Sequence, residues 1–252
     1  MNGLIVHDIP EVKHSTMVVA FAGWPDAAEA ATRAIRYLVR KLPTQKIMEI
    51  DPESYYDFTV NRPQTRINRR KERIIKWPCN EFYSYIPENN PENAVLFYVG
   101  TEPNLKWRTF SNTVLEVADK VGVDLVVSLG ALLDAVPHTR EVRITGRASN
   151  KELSKKAQWL GIKNSGYQGP TGIHSAFADE CNKREIPHAN IWGHCPHYVQ
   201  TTPNPVASYA LLERLKSLVD IDIDMSELEL AGQAFQEEVT KAISNQPEVK
   251  SY

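Results

Sequence analysis

The sequence predicts an α/β protein: a three-layer α/β/α core with a mostly parallel sheet, followed by a C-terminal helical appendage. Short apolar runs at 17–22, 94–99 and 124–129 are typical of strands buried on both faces. Amphipathic helical patterns alternate with these runs, as expected when helices cover both faces of a parallel sheet. A length of 252 residues fits one such core together with an appendage.

Capping residues predict where the first helices begin and end. The first helix is predicted over 26–42, with Asp26 at the N-cap and Glu29 completing a variant of the capping box. The second is predicted over 109–121. It is followed by Gly122, which suits the left-handed conformation common at helix C-termini.

Residues 46–86 have a different pattern from the rest of the chain. Short alternating runs predict an antiparallel excursion at the edge of the sheet, with a polar and basic hairpin turn at 68–73. The charge run at 69–71 is interpreted as a solvated turn, because no aromatic residues interleave it as single-strand binding would require.

A loop, helix, strand and loop between residues 167 and 205 dominate the second half of the chain. The strand is predicted at 188–192, and a loop rich in histidine follows it. Ligands of open α/β sheets bind at loops that follow the carboxyl ends of strands. This segment therefore marks one side of a candidate site.

The last two helices form the predicted appendage. Asn204 and Pro205 supply the N-cap and first residue of one helix, and Ser226 with Glu229 forms a capping box for the other. The predicted organisation is a core at 1–204, an appendage at 205–246 packed on that core, and a flexible tail at 247–252.

Composition and charge exclude several classes of protein. A formal net charge of -2 gives no electrostatic basis for binding nucleic acid or an anionic membrane. No apolar run approaches the roughly 20 residues of a spanning helix, and the polar N-terminus does not resemble a signal peptide. Three cysteines without framework spacing indicate reduced thiols, so a cytoplasmic location is expected.

The three core strands are each predicted to end at a glycine. Because the carboxyl ends of parallel strands meet at one edge of a sheet, the side chains near these glycines would converge there. Two interpretations stay open: glycines that only permit tight turns, or a pocket that binds a ligand. The candidate pocket residues are Gly23, Trp24, Asp26, Gly100, Glu102, Asn104, Trp107, Arg108, Gly130, Gly169, Thr171 and His197.

Catalysis and metal binding receive little support from the residues. The loop at 169–172 could present N–H groups to an anion, but it lacks the lysine and spacing of phosphate-binding motifs, so a turn is favoured. His194, Cys195 and His197 are too close in sequence to surround one zinc ion, and a Cys–His catalytic pair would need a third, orienting group. No catalytic residue, metal or cofactor is predicted. If the protein were an enzyme, the acid–base groups would be Glu102, Asp134 and His138.

Six motifs, in the same order, resemble the bacterial branch of the proteasome assembly chaperone 2 family. They cover nearly the whole chain, from about Gly3 to the last helix. The motifs are GWPDAAEAATRAIRYLV, DPESYYDFTVNRP, GTEPNLKWRTF, SLGALLDAVPHTR, YQGPTGI and CPHYVQTTPNPVASYALLERL.

This resemblance implies a core like that of purine nucleoside phosphorylases, self-association with a trimer favoured, and a chaperone-like binding role without catalysis. Family members that act on proteasomes end in a hydrophobic residue, a tyrosine and any third residue, whereas this sequence ends Lys250-Ser251-Tyr252. Direct docking on proteasomes by that mode is therefore not expected. The predicted function is a non-catalytic, assembly-chaperone-like interaction protein that binds itself and another protein assembly. The alternative is a nucleoside- or nucleotide-binding hydrolase or transferase.

Overall fold

Nine strands form the central sheet of the computed structural model, which describes residues 3–199 and 202–244. Within these residues the strands are β1 (Leu4–Val6), β2 (His14–Ala22), β3 (Gln45–Ile50), β4 (Gln64–Ile67), β5 (Arg73–Lys76), β6 (Glu81–Tyr85), β7 (Asn93–Thr101), β8 (Val123–Asp134), β9 (Ile144–Ala148), β10 (Lys163–Asn164) and β11 (His188–Pro196). The helices are α1 (Ala30–Lys41), α2 (Trp107–Val121), α3 (Lys151–Trp159), α4 (Ile173–Lys183), α5 (Pro205–Val219) and α6 (Ser226–Ser244). The strand order is β1-β3-β6-β7-β2-β8-β11-β9-β10, and β4 pairs with β5 in a separate two-stranded sheet.

The four central strands, β7, β2, β8 and β11, run parallel to one another. Val18 of β2 lies opposite Phe97 of β7 and Val127 of β8, and all three side chains are fully buried. Burial on both faces explains why these strands are continuous apolar runs. On either side of them, β6 and β9 pair antiparallel with the central strands. The predicted fold class and the antiparallel edge are confirmed.

Helices cover both faces of the sheet. Helices α1, α3 and α5 contribute to the hydrophobic cluster on one face, and α2 and α4 contribute to the cluster on the other. This arrangement confirms the predicted three layers. Helix α5 buries Leu211 and Leu215 beside α1 and β11, and α6 packs along α5. The division at residue 204 into core and appendage stays a prediction, and the predicted tail at 247–252 lies outside the described residues.

Helix α1 begins four residues later than predicted. Ala28 and Glu29 adopt left-handed conformations, with φ of 52° and 53°, which interrupt the helix before Ala30. The predicted capping box is wrong, since Glu29 pairs with Arg33 on the surface at 3.2 Å. Asp26 nevertheless caps the helix from a distance, because its Oδ1 accepts the backbone N–H of Ala31 at 2.7 Å.

The last helix begins at Ser226 itself, so the predicted capping box with Glu229 is also wrong. Asp224 takes the capping role, and its Oδ1 accepts the backbone N–H of Ser226 at 2.9 Å. Asn204 caps α5 as predicted, because its Oδ1 accepts the backbone N–H of Ala207 at 3.0 Å. Gly122 likewise ends α2 in the left-handed conformation, as predicted.

Strands β7 and β8 continue past the glycines at which they were predicted to end. They extend to Thr101 and Asp134, whereas β2 does end before Gly23, which has a φ of +118°. Gly130 serves close packing and not a turn, since a Cβ atom there would lie 2.7 Å from the ring of Trp192.

The hairpin formed by β4 and β5 confirms the predicted turn. Asn68 starts this turn, and its backbone N–H donates to the carbonyl of Glu72 at 2.9 Å. The register pairs Gln64 with Lys76 and Ile67 with Arg73. All eight strand residues of the hairpin are exposed.

Candidate functional site

The carboxyl ends of the four parallel strands lie along one edge of the sheet, as predicted. The chain leaves β2 at Gly23, β7 at Glu102, β8 beyond Asp134 and β11 beyond Pro196. Each of these exits makes its own set of contacts. The predicted pocket residues consequently fall into several small clusters instead of lining one pocket.

The first cluster joins Glu102 to the N-terminus of α4. The Glu102 carboxylate accepts the backbone N–H of Ile173 at 2.8 Å and the backbone N–H of Trp24. The Trp24 ring packs against Gly172, although 65% of the tryptophan is exposed. Burial raises the pKa of Glu102, and the two N–H groups oppose that shift.

This carboxylate changes the interpretation of the loop at 169–172. A helix N-terminus attracts anions because its first N–H groups lack partners within the helix. At α4 that place is taken by Glu102 of the same chain, as its bond to Ile173 shows. A phosphate at this position would have to displace a protein carboxylate, so the loop does not form an open phosphate site.

The second cluster surrounds Asp26. Its carboxylate accepts the Ala31 N–H and the Thr32 hydroxyl, and burial raises its pKa. The Cys195 thiol lies near Asp26, and its sulfur is 3.7 Å from the carbonyl oxygen of Ala27. Burial raises the pKa of Cys195 to about 12. A thiol with this pKa is protonated at neutral pH, and Asp26 serves as a helix cap, so the cluster is structural.

The third cluster links three adjacent strands. His194 Nδ1 lies 2.7 Å from Asp134 Oδ2, and His194 Nε2 lies 2.9 Å from Thr145 Oγ1. A proton on Nδ1 lets that nitrogen donate to Asp134 and leaves Nε2 to accept the Thr145 hydroxyl. The pKa of Asp134 is lowered chiefly by the bond from His194.

The order of hydroxyl, imidazole and carboxylate in this cluster is that of a nucleophile–base–acid relay. Thr145 and His194 are both buried, however, and the neighbouring cavity has a volume of about 30 Å³. Such a cavity has room for little more than one water molecule. The cluster therefore acts as a cross-link between β8, β11 and β9. The sequence gives no sign of Thr145, because the antiparallel pairing of β9 with β11 places it there.

Replacing Asp134 by asparagine should weaken the acid dependence of stability. The folded-state pKa of Asp134 is lowered, so its contribution is present above the unfolded value of about 3.9 and is lost as pH falls through the folded pKa. Below about pH 4, wild type should lose about 1 kcal/mol that Asp134→Asn does not lose, the usual contribution of one hydrogen bond. Urea unfolding between pH 2.5 and 7, with Asp222→Asn as control for the lost charge, measures this. Identical pH profiles for wild type and Asp134→Asn would contradict it.

His138 is held by side chains of the segment after β11 and of α6. The Tyr198 hydroxyl is 2.9 Å from His138 Nδ1, and Thr240 Oγ1 of α6 is 3.1 Å from Nε2. Its carbonyl accepts the side-chain amide of Gln236 at 3.2 Å. His138 thus links α6 to the segment that follows β8. Burial lowers the pKa of the His138 side chain.

A layer of rings lies beneath the edge. Trp192 packs across Gly130, and its ring centroid is 4.8 Å from that of His174. His174 also meets Phe21 edge to face at 5.3 Å. Burial lowers the pKa of His174 to about 3, and neither ring nitrogen has a hydrogen-bond partner in the described part of the chain. This histidine is a neutral member of the core.

The remaining candidates have separate local roles. Asn104 accepts the backbone N–H of Asp57 at 3.0 Å, and the indole of Trp107 donates to the carbonyl of Pro103 at 2.6 Å. Thr171 donates to the hydroxyl of Ser175 on the surface. Arg108 is exposed on α2, and Gly169 packs under the Tyr167 ring. The backbone N–H of the exposed His197 donates to the carbonyl of Asp134.

Residues 3–199 and 202–244 lack two features that other functions would require. No helix there has both the length and the apolar character needed to cross a membrane. No cluster of three or more histidine, cysteine, aspartate or glutamate side chains there could hold a metal ion.

Comparisons with known proteins identify the family. A family model described as the PAC2 family matches residues 20–243. A PAC2 family protein from Streptomyces avermitilis is 37% identical, with a TM-score of 0.86 over 94% of this chain and 99% of that one. A proteasome-assembly chaperone homologue from Mycobacterium tuberculosis is 38% identical, with a TM-score of 0.84 over the same shares of each chain. An uncharacterized protein from Methanocaldococcus jannaschii is 25% identical over 98% of this chain and 95% of its own length. The chain therefore belongs to the PAC2 family.

Proposed function

We propose that this protein is a non-catalytic, assembly-chaperone-like protein that binds another protein assembly and self-associates, with a trimer as the favoured state and the cytoplasm as its location. The observation that carries this proposal is its 38% identity, over nearly the full length of both chains, with the proteasome-assembly chaperone homologue. Subunits of a proteasome are consequently the first partners to test.

The chemistry of the sheet edge supports a role without catalysis. Glu102 caps α4, Asp26 caps α1 and Asp134 holds His194. General acid–base catalysis needs a titratable group within reach of a substrate in a concave pocket. Each of these carboxylates instead accepts hydrogen bonds from groups of its own chain, and the cavity beside His194, of about 30 Å³, is too small for a nucleoside.

Exposed aromatic rings support a role in protein binding. Trp159 at the end of α3 is 86% exposed, and Tyr167 is 67% exposed. Large aromatic side chains are enriched at protein–protein interfaces and uncommon on surfaces that face only solvent. Burying these rings against another protein would stabilise the complex.

Binding assays should separate the chaperone role from the nucleoside-handling alternative. Mixed with unassembled proteasome α-type and β-type subunits on native gels, the protein should migrate with unassembled subunits and be absent from the finished particle. Nucleosides, nucleotides and phosphate should leave its melting temperature unchanged, whereas a ligand at 100 times its Kd would stabilise it by about 2.7 kcal/mol. A nucleoside-induced shift that is lost in Glu102→Gln, with no subunit binding, would contradict the proposal. Thr171→Ala, a substitution at the exposed surface of the loop that precedes α4, is the matched control.

A further inference from the structure

Charge is distributed very unevenly along this chain. Residues 62–76, which contain the β4–β5 hairpin, include seven basic residues and one acidic residue, a net charge of +6. The rest of the chain therefore carries 22 basic and 30 acidic residues, a net charge of -8. The hairpin is a basic element attached to an otherwise acidic protein.

The two faces of the hairpin differ. Arg66 and Lys76 share one face and line a groove of about 510 Å³ between the hairpin and α1, so this face is turned toward the body of the protein. Ile67, Arg73 and Ile75 alternate with them and are turned away. The outward face thus has an apolar centre, with the basic turn at its end.

The outward face of the hairpin exposes two large apolar side chains. Ile67 is 74% exposed and Ile75 is 57% exposed. An isolated two-stranded hairpin is marginally stable in water, and packing against another surface is the usual means of stabilising it. Two exposed isoleucines on such a hairpin are therefore best explained by a partner that covers them.

The complementary surface lies on the same chain. Residues 220–244, which comprise α6 and the segment before it, contain seven acidic residues and one basic residue, a net charge of -6. Of the 19 residues of α6, only Gly232 and Val239 are buried. Its exposed face has Leu230, 64% exposed, and Ala234 one turn later, with Glu237 beyond them.

We infer that the β4–β5 hairpin of one copy docks on the exposed face of α6 of a second copy. Ile67 and Ile75 pack on the apolar stripe around Leu230, and the basic turn lies beside Glu237 and Glu238. This inference rests on the self-association proposed above and names the surfaces that produce it. A surface rich in carboxylates and apolar groups matches the hairpin better than nucleic acid does. Phosphates can pair with the basic side chains but make no apolar contact with the isoleucines.

The positions of the two surfaces suit a closed ring. The hairpin faces α1 and β6 across the groove, whereas α6 packs on α5 and joins α1 at its start, where Glu227 pairs with Arg40 at 2.6 Å. A contact between two different surfaces of the same chain is head-to-tail, and such contacts close into rings when the rotation between copies permits. A trimer is the small ring expected here.

Charge reversal on each surface tests this contact. Wild type should be an oligomer by light scattering at tens of micromolar. Arg69→Glu with Arg70→Glu, and separately Glu237→Arg with Glu238→Arg, should each lower the molar mass to that of a monomer. The variant that combines all four substitutions should recover the oligomer, since it restores attraction with the signs exchanged. Unchanged circular dichroism would show that each variant is folded.

A matched control and the opposing outcomes complete the test. Lys151→Glu with Lys155→Glu, on the exposed surface of α3, makes the same charge change and should leave the molar mass unaltered. A monomeric wild type would overturn the self-association and this interface together. An oligomeric wild type that is unaffected by either reversal, or a fourfold variant that stays monomeric, would overturn only the interface. Loss of single-stranded DNA binding in Arg69→Glu with Arg70→Glu, at unchanged mass, would assign the hairpin to nucleic acid and overturn the inference.

Discussion

Replacing Phe21 by alanine should lower the free energy of unfolding by about 3–5 kcal/mol, the range measured for large aromatic side chains in cores. Phe21 is fully buried at the carboxyl end of β2. Its ring lies 5.2 Å from that of Tyr98, 6.3 Å from Phe110, 5.3 Å from His174 and 6.0 Å from Phe177. The ring therefore joins the sheet to both α2 and α4, and its removal leaves a cavity that four large neighbours cannot easily fill.

Urea unfolding followed by circular dichroism measures this loss. Trp159→Ala removes an even larger ring, but that ring is 86% exposed, so its cost should stay within about 0.5 kcal/mol. Phe21→Leu, which keeps most of the apolar volume, should lie between the two. A cost below about 1 kcal/mol for Phe21→Ala would show that the site collapses around the missing ring and that the cluster is not tightly packed.

The elements that the sequence predicts well are those whose signals are local. The apolar runs of the core strands reflect burial on both faces, and this burial is confirmed for Val18 and Val127. Gly122 and Asn204 are caps whose partners lie within the same helix, so their roles follow from sequence spacing alone. Strand and helix identity along the core could therefore be predicted with no knowledge of tertiary contacts.

The start of α1 could not be predicted in this way. The left-handed turn at Ala28 and Glu29 is stabilised by a distant segment, because the backbone N–H of Asn204 donates to the carbonyl of Ala28 at 2.9 Å. Local propensity favours continuing the helix back to Asp26. The tertiary hydrogen bond overrides that preference, and only the folded chain brings residues 28 and 204 together.

The candidate site shows the same limit more strongly. The sequence places Glu102 at a strand end, but its partner is Ile173, 71 residues later. His194 is linked to Asp134 and to Thr145, which lie on two other strands. Which strands become neighbours depends on the sheet order, and no spacing in the sequence specifies it. The sequence therefore predicted which side chains lie at this edge of the sheet, but not the hydrogen bonds that each of them makes within the fold.

These internal contacts also bear on where a binding surface is expected. At the carboxyl edge, Glu102, Asp26 and Asp134 have their charges satisfied inside the fold. On the β4–β5 hairpin and α6, by contrast, charges and apolar side chains are exposed together. Surfaces that expose charged and apolar groups together are the places where contacts with other chains are expected.

Gly100→Ala should lower the free energy of unfolding by about 3 kcal/mol or more, because overpacking and lost hydrogen bonds combine at this position. A Cβ atom on Gly100 would lie within 3.0 Å of the Tyr98 hydroxyl and of the Asn80 side-chain oxygen. That oxygen accepts the Tyr98 hydroxyl at 2.9 Å, the Tyr56 hydroxyl at 2.7 Å and the backbone N–H of Thr101 at 3.2 Å. All of these side-chain groups are buried, so a shift that relieves the clash leaves polar atoms without partners.

Gly166→Ala separates this packing effect from the general effect of adding a methyl group to a glycine. Nothing lies within 4 Å of a Cβ atom at Gly166, and that glycine is exposed, so the substitution should be neutral or slightly stabilising through the unfolded chain. Tyr98→Phe, which removes the hydroxyl but not the ring, should cost less than Gly100→Ala because it breaks one bond and introduces no clash. Equal stabilities for Gly100→Ala and Gly166→Ala in urea would contradict the argument. They would mean that β7 can move away from Asn80 at little cost, so that Gly100 is not required for the close packing of this network.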